Sequence, residues 1–401
     1  MKYVLILGDG MSDYPLEQLN NKTPLQCAKK PNIDFLAQNA EVGMVKTVPE
    51  DFPPGSDVAN LSVMGYDPKL YYTGRSPLEA VSMGLKLSDT DVTLRCNLVT
   101  LSDEKEYENK VMVDYSSDEI SSKEAKILIE EINKHFKSDE ISFYPGISYR
   151  HCMVWDNGLT KLNLTPPHDI LEKKIGCYLP DNKMILDMMI KSYDILKDHP
   201  INKERVSKGL NAANSIWLWG EGKKPNIPKF YDMYKIQGSV VSAVDLIKGI
   251  GILAGLNSIE VEGATGNIHT NFKGKALAAL EQLESGCDFV YLHIEAPDEC
   301  GHRYEIENKV KSIELIDEQV VGPILKGLQK YDDYKILILP DHPTPLSLRT
   351  HTSEPVPYLL YQKSGSKKSG LAGYDELQAA STKIFIDEGH KLMKYFILNY
   401  K

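Results

Sequence analysis

The chain has 401 residues, of which 42% are hydrophobic, so it can bury a large core as two domains or as one domain with an insertion. Its formal net charge of −10 lacks the basic excess typical of proteins that bind duplex DNA or anionic membranes. The six cysteines form no C-x-x-C pair, and the apolar runs are too short to span a bilayer. We therefore expect a reduced, cytoplasmic protein that binds neither nucleic acid nor membranes.

In chain order, short apolar runs alternate with stretches of helical periodicity. The runs predict strands at 2–8, 288–296 and 335–339. The periodic stretches predict helices at 31–40, 242–255, 275–285 and 308–331. Strands that are apolar on both faces and alternate with helices form parallel sheets covered on both sides. The sequence therefore predicts an α/β fold with a central, mostly parallel sheet.

Residues 87–180 have a different pattern. Short strands surround a single polar helix, SSKEAKILIEEINKHF, in this region. The pattern predicts a small α+β domain inserted in the main sheet. The main domain is then discontinuous and consists of residues 1–86 and 181–401.

Three predicted strands deliver an aspartate at or just past their carboxyl ends, namely Asp9, Asp298 and Asp341. Ligands of open α/β sheets bind at that edge. A single aspartate at a strand end is more often a helix N-cap or a turn residue. Three carboxylates gathered at one edge, however, would repel one another unless a cation joined them. Their combination therefore predicts a metal site.

Three histidines lie close to these acids in the sequence. Asp298 and His302 are four residues apart, a spacing that places both side chains on one face of a helix. His342 adjoins Asp341, and His351 follows nine residues later. A mixed set of carboxylates and imidazoles suits Mn²⁺ or Zn²⁺ better than Mg²⁺ or Ca²⁺. These residues, with a possible hydroxyl, are enough for two divalent metal ions.

A serine near the N-terminus is a candidate nucleophile. In FPPGSDVANLSVMGYDP, two prolines and a glycine lead to Ser56 at the start of a predicted helix. One interpretation is that Ser56 is simply the N-cap of that helix. The other is that Ser56 attacks a phosphoryl group, since a helix N-terminus favours phosphate and a metal ion can activate a hydroxyl. The sequence has no G-x-S-x-G elbow, which favours metal activation over a Ser-His-Asp triad.

Eight segments together resemble one known family, in its order and over nearly the whole chain. They are GDGM, PGSDVANLSVMGYDP, TGRSPLEA, NLTPPHDI, GATGN, HIEAPDECGH, LPDHPTP and THTSEPVP. The family is that of the archaeal-type, cofactor-independent phosphoglycerate mutases of the alkaline phosphatase superfamily. The resemblance implies an alkaline-phosphatase-like three-layer domain with an inserted lid. It also implies the glycolytic interconversion of 3-phosphoglycerate and 2-phosphoglycerate, without bisphosphoglycerate and without a nucleotide.

The resemblance further implies a two-metal site and a phosphoserine intermediate. The implied ligands divide into Asp298, His302 and His351 for one ion and Asp9, Ser56, Asp341 and His342 for the other. Ser56 would take the phosphoryl group, and the glycerate would reorient without leaving and receive it on its other hydroxyl. Retaining the glycerate requires a closed, dry pocket, which gives the insertion a role as a lid.

Arginines provide candidate contacts for this small phosphorylated substrate, because a guanidinium fork matches carboxylate and phosphate. Arg75 in TGRSP, Arg95 in LRCN and Arg150 in YRHCM lie in unusual contexts and are predicted to bind substrate anions. His168, which follows two prolines, is either an acid, base or substrate contact or a turn residue. Arg205, in NKERVSK, is predicted to be solvated on a helix.

Three alternative functions remain open. A related phosphotransferase, such as a proposed homoserine kinase, would keep the metal centre and Ser56 and change the acceptor. The chain has no G-x-x-x-x-G-K-[ST] loop, which disfavours only that mode of ATP binding. A metal-dependent phosphatase would let water resolve the phosphoserine. A non-catalytic binding protein is disfavoured, because all seven expected ligand positions are filled.

Overall fold

A computed structural model of the chain describes residues 1–365 and 367–399. The chain forms two compact units. The first combines Met1–Tyr72 with the chain from Asn226 onward, and the second is Thr73–Pro225. The predicted insertion, 87–180, lies within the second unit, whose observed limits are wider at both ends. They are wider because Ser76–Ser82 packs on the second unit's sheet and Ser215–Lys223 pairs within it.

The strands and helices follow one another along the chain with the following bounds. The strands are β1 (Lys2–Gly8), β2 (Glu41–Val45), β3 (Val92–Leu101), β4 (Met112–Asp114), β5 (Ile141–Tyr144), β6 (Arg150–Trp155), β7 (Ser215–Lys223), β8 (Gly238–Val241), β9 (Asn257–Ile259), β10 (Phe289–Ile294), β11 (Tyr334–Leu339), β12 (Val356–Gln362) and β13 (Phe385–Ile386). The α-helices are α1 (Pro24–Cys27), α2 (Pro31–Gln38), α3 (Ser56–Val63), α4 (Pro68–Tyr71), α5 (Ser76–Ser82), α6 (Ser122–Phe136), α7 (Lys183–Leu196), α8 (Pro200–Ser207), α9 (Phe230–Tyr234), α10 (Asp245–Leu253), α11 (Phe272–Glu284), α12 (Ala296–Arg303), α13 (Ile306–Ile316), α14 (Gly322–Leu328), α15 (Glu376–Ser381) and α16 (Lys391–Lys394).

The first unit is built on one large sheet with the strand order β13-β2-β12-β11-β1-β10-β8-β9. The strands from β11 to β9 in this order are parallel, and β12 runs antiparallel to both of its neighbours. Every residue of β10 and β11 is buried, so both faces of the sheet are covered. The predicted α/β fold with a mostly parallel central sheet is confirmed.

The helix predicted over 308–331 is divided in the structure. Helix α13 ends at Ile316, a π-helical turn spans Asp317–Val321, and α14 follows. Pro323 has no N–H to donate and its ring crowds the preceding turn, which favours a wider turn at this point. The turn also places the Asp317 carboxylate where it accepts a 2.7 Å hydrogen bond from the Ile33 N–H in the first turn of α2.

The second unit contains an antiparallel sheet in which β3 pairs with β4, β6 and β7, and β5 pairs with β6. Apolar side chains of α6 and α7 share a core with this sheet, which gives an α+β unit. Arg205, predicted to be solvated, is buried instead. Its guanidinium reaches the backbone carbonyls of Ser117 at 2.6 Å and Asn211 at 2.9 Å. Within the part of the chain that the structure describes, no helix has the length and apolarity to cross a membrane.

Candidate active site

The register of three neighbouring strands brings the predicted acids to one edge of the large sheet. Leu7 of β1 is the register partner of His293 in β10 and of Leu339 in β11. All three strands are parallel, so the segments that follow them emerge at the same edge. Asp9, Asp298 and Asp341 lie in these segments, and all three are buried.

A first group of potential ligands consists of Asp9, Asp341 and His342. His342 Nε2 lies 3.7 Å from Asp9 Oδ1 and 3.4 Å from Asp341 Oδ2. Asp9 Oδ1 is buried and has no hydrogen-bond partner among the described residues. An unsatisfied buried carboxylate oxygen is costly. Its position beside an imidazole and a second carboxylate fits a divalent cation.

A second group surrounds Asp298. Its carboxylate oxygens each lie 3.3 Å from an imidazole nitrogen, Oδ2 from His302 Nε2 and Oδ1 from His351 Nε2. These two ring nitrogens are 2.9 Å apart. His342 also comes within ligand-sharing distance of Asp298 and His351, so it belongs to both groups. The predicted pairing of Asp298 with His302 on one turn of α12 is present.

Backbone and hydroxyl contacts orient the imidazoles. His302 Nδ1–H donates to the Arg349 carbonyl at 3.0 Å, so Nε2 is the nitrogen that can release a proton and bind a metal ion. Thr344 Oγ1 donates to Asp298 Oδ1 at 2.5 Å and lies 3.3 Å from His342 Nδ1. The hydroxyl therefore accepts from that nitrogen, and His342 Nε2 presents its lone pair to the carboxylates.

The charges in this cluster shift its pKa values in opposite directions. Burial, reinforced by the nearby carboxylates of Asp341 and Asp298, raises the pKa of Asp9 well above its ordinary value. Burial also opposes ionisation of Asp298, but hydrogen bonds from His302 and His351 outweigh it and hold the Asp298 pKa well below its ordinary value. Burial lowers the pKa of His302, yet the hydrogen bond and charge of Asp298 raise it overall to about 9. A concentration of negative charge is thus balanced only partly by imidazoles.

Ser56 lies beside the first group. Gly55, not Ser56, occupies the N-cap position of α3, and no side chain caps that end. The interpretation of Ser56 as the N-cap is therefore wrong. Its hydroxyl Oγ lies 3.1 Å from His342 Nε2. Ser56 thus contacts a residue of the loop after β11 that is 286 positions away in the sequence.

A glycine in the GDGM segment allows the loops to approach one another. Gly10 has a φ of +60°, a conformation that residues with a side chain rarely adopt. A Cβ at this position would lie 2.8 Å from both Asp298 Oδ1 and Asp298 Cα. The Gly10 N–H also donates to Asp341 Oδ1 at 3.1 Å. The glycine thus lets the backbone after β1 touch two of the acids.

Two polar groups near the site were not foreseen from the sequence. His293 is fully buried in β10, and its Nε2–H donates to Asp9 Oδ2 at 2.8 Å. Lys309 forms a buried 2.7 Å ion pair with Asp13 and donates to the Thr344 carbonyl at 2.8 Å. A histidine within an apolar strand and a lysine on the apolar face of a helix are the signals that could have indicated them.

Within the second unit, two of the predicted substrate arginines converge on a glutamate that the sequence analysis missed. Glu79 receives the Nε–H of Arg75 on one oxygen and that of Arg95 on the other, both at 2.9 Å. Burial favours the neutral form of Glu79, but the charges of Arg95 and Arg75 outweigh it and lower the Glu79 pKa. Arg150 also acts on Glu79 electrostatically. Two guanidinium groups therefore contact one carboxylate and a third acts on it, which leaves a net positive cluster.

His168 lies in a 3-10 turn, Pro167–Ile170, of the same unit. Its ring centroid is 5.3 Å from that of Trp219, and the Arg95 guanidinium lies 4.1 Å from the centroid of the same indole. The backbone at His168 therefore forms a turn, as one of the two interpretations predicts. Its ring nevertheless shares an aromatic neighbour with a predicted substrate arginine.

The fold and the site are those of an α/β enzyme in which the carboxyl edge of a parallel sheet gathers carboxylates, imidazoles and a serine hydroxyl. A family model described as 2,3-bisphosphoglycerate-independent phosphoglycerate mutase matches residues 37–202. The chain is 50% identical over 400 residues to a probable enzyme of this name from Geobacter sulfurreducens, covering 99% of this chain and 100% of the relative. It is 48% identical over 384 residues to the enzyme of Methanosarcina barkeri, covering 94% and 95%. The chain belongs to the family of 2,3-bisphosphoglycerate-independent phosphoglycerate mutases, which are isomerases.

Solved structures resemble the whole chain as well. A Pyrococcus horikoshii protein matches with a TM-score of 0.82 and 30% identity, covering 100% of this chain and 98% of that one. The cofactor-independent phosphoglycerate mutase from Thermoplasma acidophilum matches with a TM-score of 0.64 and 28% identity, covering 99% of each. The family resemblance carried by the sequence motifs is confirmed.

Proposed function

We propose that this protein interconverts 3-phosphoglycerate and 2-phosphoglycerate through a phosphoserine at Ser56, at a centre that binds two divalent metal ions. The observation that carries the proposal is the position of Ser56 Oγ, 3.1 Å from His342 Nε2, an atom that itself lies 3.7 Å from the unsatisfied Asp9 Oδ1. Family membership supports the substrate, since the curated relatives are named for this reaction.

The ligand set fits metal ions that accept both nitrogen and oxygen, such as Mn²⁺ or Zn²⁺. In this proposal the seven ligands are Asp298, His302 and His351 for one ion and Asp9, Ser56, Asp341 and His342 for the other. Bound ions would neutralise charge on the phosphoryl oxygens and make the serine hydroxyl a better nucleophile. The oriented Nε2 atoms and the unsatisfied oxygen of Asp9 support this assignment.

The chemical work of the chain begins with Ser56. Its Oγ forms a bond to phosphorus while the bond between phosphorus and the C3 oxygen breaks, and the hydroxyl proton is balanced by protonation of that oxygen. The N-terminal amides of α3 favour the negative charge of the phosphoserine. The bound glycerate then presents its C2 oxygen, and the reverse displacement restores the serine.

In the same proposal, the arginine cluster of the second unit binds the anionic groups of the substrate. Glu79 holds the Nε edges of Arg75 and Arg95, which fixes the orientation of both guanidinium planes. Arg150 adds a third positive charge, and His168 provides a contact beside Trp219. A net positive cluster suits a substrate that carries a carboxylate and a phosphate.

The test supplies purified, Mn²⁺-loaded protein with 3-phosphoglycerate, without bisphosphoglycerate, and measures 2-phosphoglycerate. We expect conversion, and an acid-stable phosphoserine mapped to Ser56 by mass spectrometry. Ser56→Ala should abolish both, whereas Ser62→Ala, a buried serine on the same helix, should retain both.

Three outcomes would overturn all or part of the proposal. Release of inorganic phosphate without 2-phosphoglycerate would indicate a phosphatase. ATP-dependent formation of O-phosphohomoserine without mutase activity would indicate a homoserine kinase. Appreciable turnover by Ser56→Ala would remove the nucleophile role of this residue while leaving the reaction open.

A further inference from the structure

We propose that Asn60 and Tyr291 form a positioning pair that fixes the carboxylate of Asp341 relative to Ser56. The inference rests on the proposed role of Asp341 as a metal ligand. Neither residue belongs to the ligand set, and both are fully buried. They act through Asp341 and Ser56, so they are positioning residues and not catalytic ones.

The side-chain amide of Asn60 bridges the two parts of the site. Its Nδ2 donates to Asp341 Oδ2 at 2.7 Å and to the Ser56 carbonyl at 2.9 Å. These two acceptors follow β11 and begin α3, so a single amide joins the loop carrying a proposed ligand to the turn carrying the proposed nucleophile. Both N–H groups of the amide are used.

Tyr291 satisfies the oxygen end of the amide. Its hydroxyl donates to Asn60 Oδ1 at 2.6 Å. An amide turned by 180° would place its oxygen against two groups that only accept, the Asp341 carboxylate and the Ser56 carbonyl, so these two acceptors fix its orientation. The tyrosine O–H donates to the amide oxygen that this orientation turns away from Asp341. With this bond, the amide has all of its hydrogen-bonding groups satisfied in a buried environment.

The same strand, β10, also carries His293, which orients a second carboxylate. Tyr291 and His293 are two residues apart in the strand, so their side chains project from the same face of the sheet. His293 donates directly to Asp9, whereas Tyr291 reaches Asp341 through Asn60. One strand thus orients two of the carboxylates that the proposed function assigns to the same metal ion.

The sharpest perturbation is Tyr291→Phe, which removes one hydroxyl and keeps Asn60. The buried amide oxygen then has no donor, which favours conformations in which Asn60 leaves the site and Asp341 Oδ2 loses its donor. Partners of metal ligands typically contribute about 10- to 100-fold in metal affinity or activity. We expect the Kd for Mn²⁺, measured by titration calorimetry without substrate, to rise by about this factor at one site. The kcat should fall while the KM for 3-phosphoglycerate changes little.

The matched control is Tyr374→Phe. Tyr374 is also fully buried in the first unit, and its hydroxyl donates to the Pro357 carbonyl at 2.7 Å. The same hydroxyl lies 3.5 Å from the Ile338 carbonyl in β11, so this variant loses buried hydrogen bonds to backbone carbonyls and none to a proposed ligand or its partner. It should lower the Tm comparably and leave the Mn²⁺ Kd unchanged.

A double-variant comparison tests the coupling within the pair. Asn60→Leu removes the bridge, so adding Tyr291→Phe to it should weaken Mn²⁺ binding no further. If Asn60→Leu fails to fold, the comparison of Mn²⁺ affinity between Tyr291→Phe and Tyr374→Phe tests the proposal by itself. The proposal is overturned if Tyr291→Phe binds Mn²⁺ as tightly as the unaltered protein, or if Tyr374→Phe weakens binding equally. Calorimetry measures Mn²⁺ binding and needs no turnover. The effect of Tyr291→Phe on Mn²⁺ affinity can therefore be interpreted even if the protein shows no mutase activity.

Discussion

Replacing Gly10 with alanine is expected to damage the proposed metal centre far more than its effect on stability alone implies. The new Cβ would clash with Thr344 Oγ1 and would lie 2.8 Å from both Asp298 Oδ1 and Asp298 Cα, whereas ordinary contacts begin at 3.4 Å, so Asp298 must retreat by about 0.6 Å. The positive φ adds strain of about 1–2 kcal/mol to any residue with a side chain. A misplacement of about 1 Å at a reacting centre can cost on the order of 100-fold in rate. We therefore expect loss of at least about tenfold in both Mn²⁺ affinity and kcat.

The control separates backbone strain from displacement of the ligand. Gly370 has a φ of +78°, and a Cβ there would meet nothing within 4 Å. Gly370→Ala therefore carries similar backbone strain without the clash. The assay compares Mn²⁺ Kd, kcat and Tm for both variants. Equal Mn²⁺ affinity in the two alanine variants would refute the argument that Gly10 is required by close approach to Asp298.

Further variants address the arginine cluster, pH dependence and ligand assignment. Glu79→Gln should raise the KM for 3-phosphoglycerate by about tenfold, because the arginines lose the charge that orients them, and unchanged steady-state kinetics would contradict this. Burial raises the pKa of Glu376 from 4.5 to about 7, so this group makes the folded state less stable as pH rises across that interval. Glu376→Gln should flatten the decline in Tm between these pH values, and parallel profiles would contradict that assignment. If the proposed centre holds two metal ions, elemental analysis should find one of them depleted in His302→Ala and both retained in His135→Gln, a control at an exposed histidine.

The sequence predicted those parts of the fold and site that depend on local pattern. The strand at 2–8 and the Asp298–His302 pair follow from periodicity and from a four-residue spacing. Proximity of Asp9 to Asp341 was inferred because parallel strands end at one edge. These inferences need only the geometry of regular elements.

The unforeseen residues depend on side-chain partners that are distant in sequence. Asn60 meets Asp341 across 281 positions, and its own helix offers no signal of that contact. Arg205 was expected to be solvated because its neighbours are polar, yet carbonyls of two separate loops satisfy its guanidinium. Glu79 resembled an ordinary helix glutamate in TGRSPLEA. In each case a polar side chain is buried because its partners come from elsewhere in the fold, which local sequence cannot reveal.

The donors that orient the acids at the sheet edge support the proposal that this edge binds cations. Asp341 accepts hydrogen bonds from backbone N–H groups and from the amide of Asn60, all of which are neutral. Asp9 accepts from His293, whose pKa burial lowers well below its ordinary value, so this donor is neutral too. The nearby ammonium of Lys309 is paired with Asp13 instead. The chain therefore fixes the orientation of Asp9 and Asp341 while leaving their negative charge uncompensated. That separation of orientation from charge suits carboxylates that bind metal ions, because a paired lysine or arginine would compete with the ion for the same oxygens.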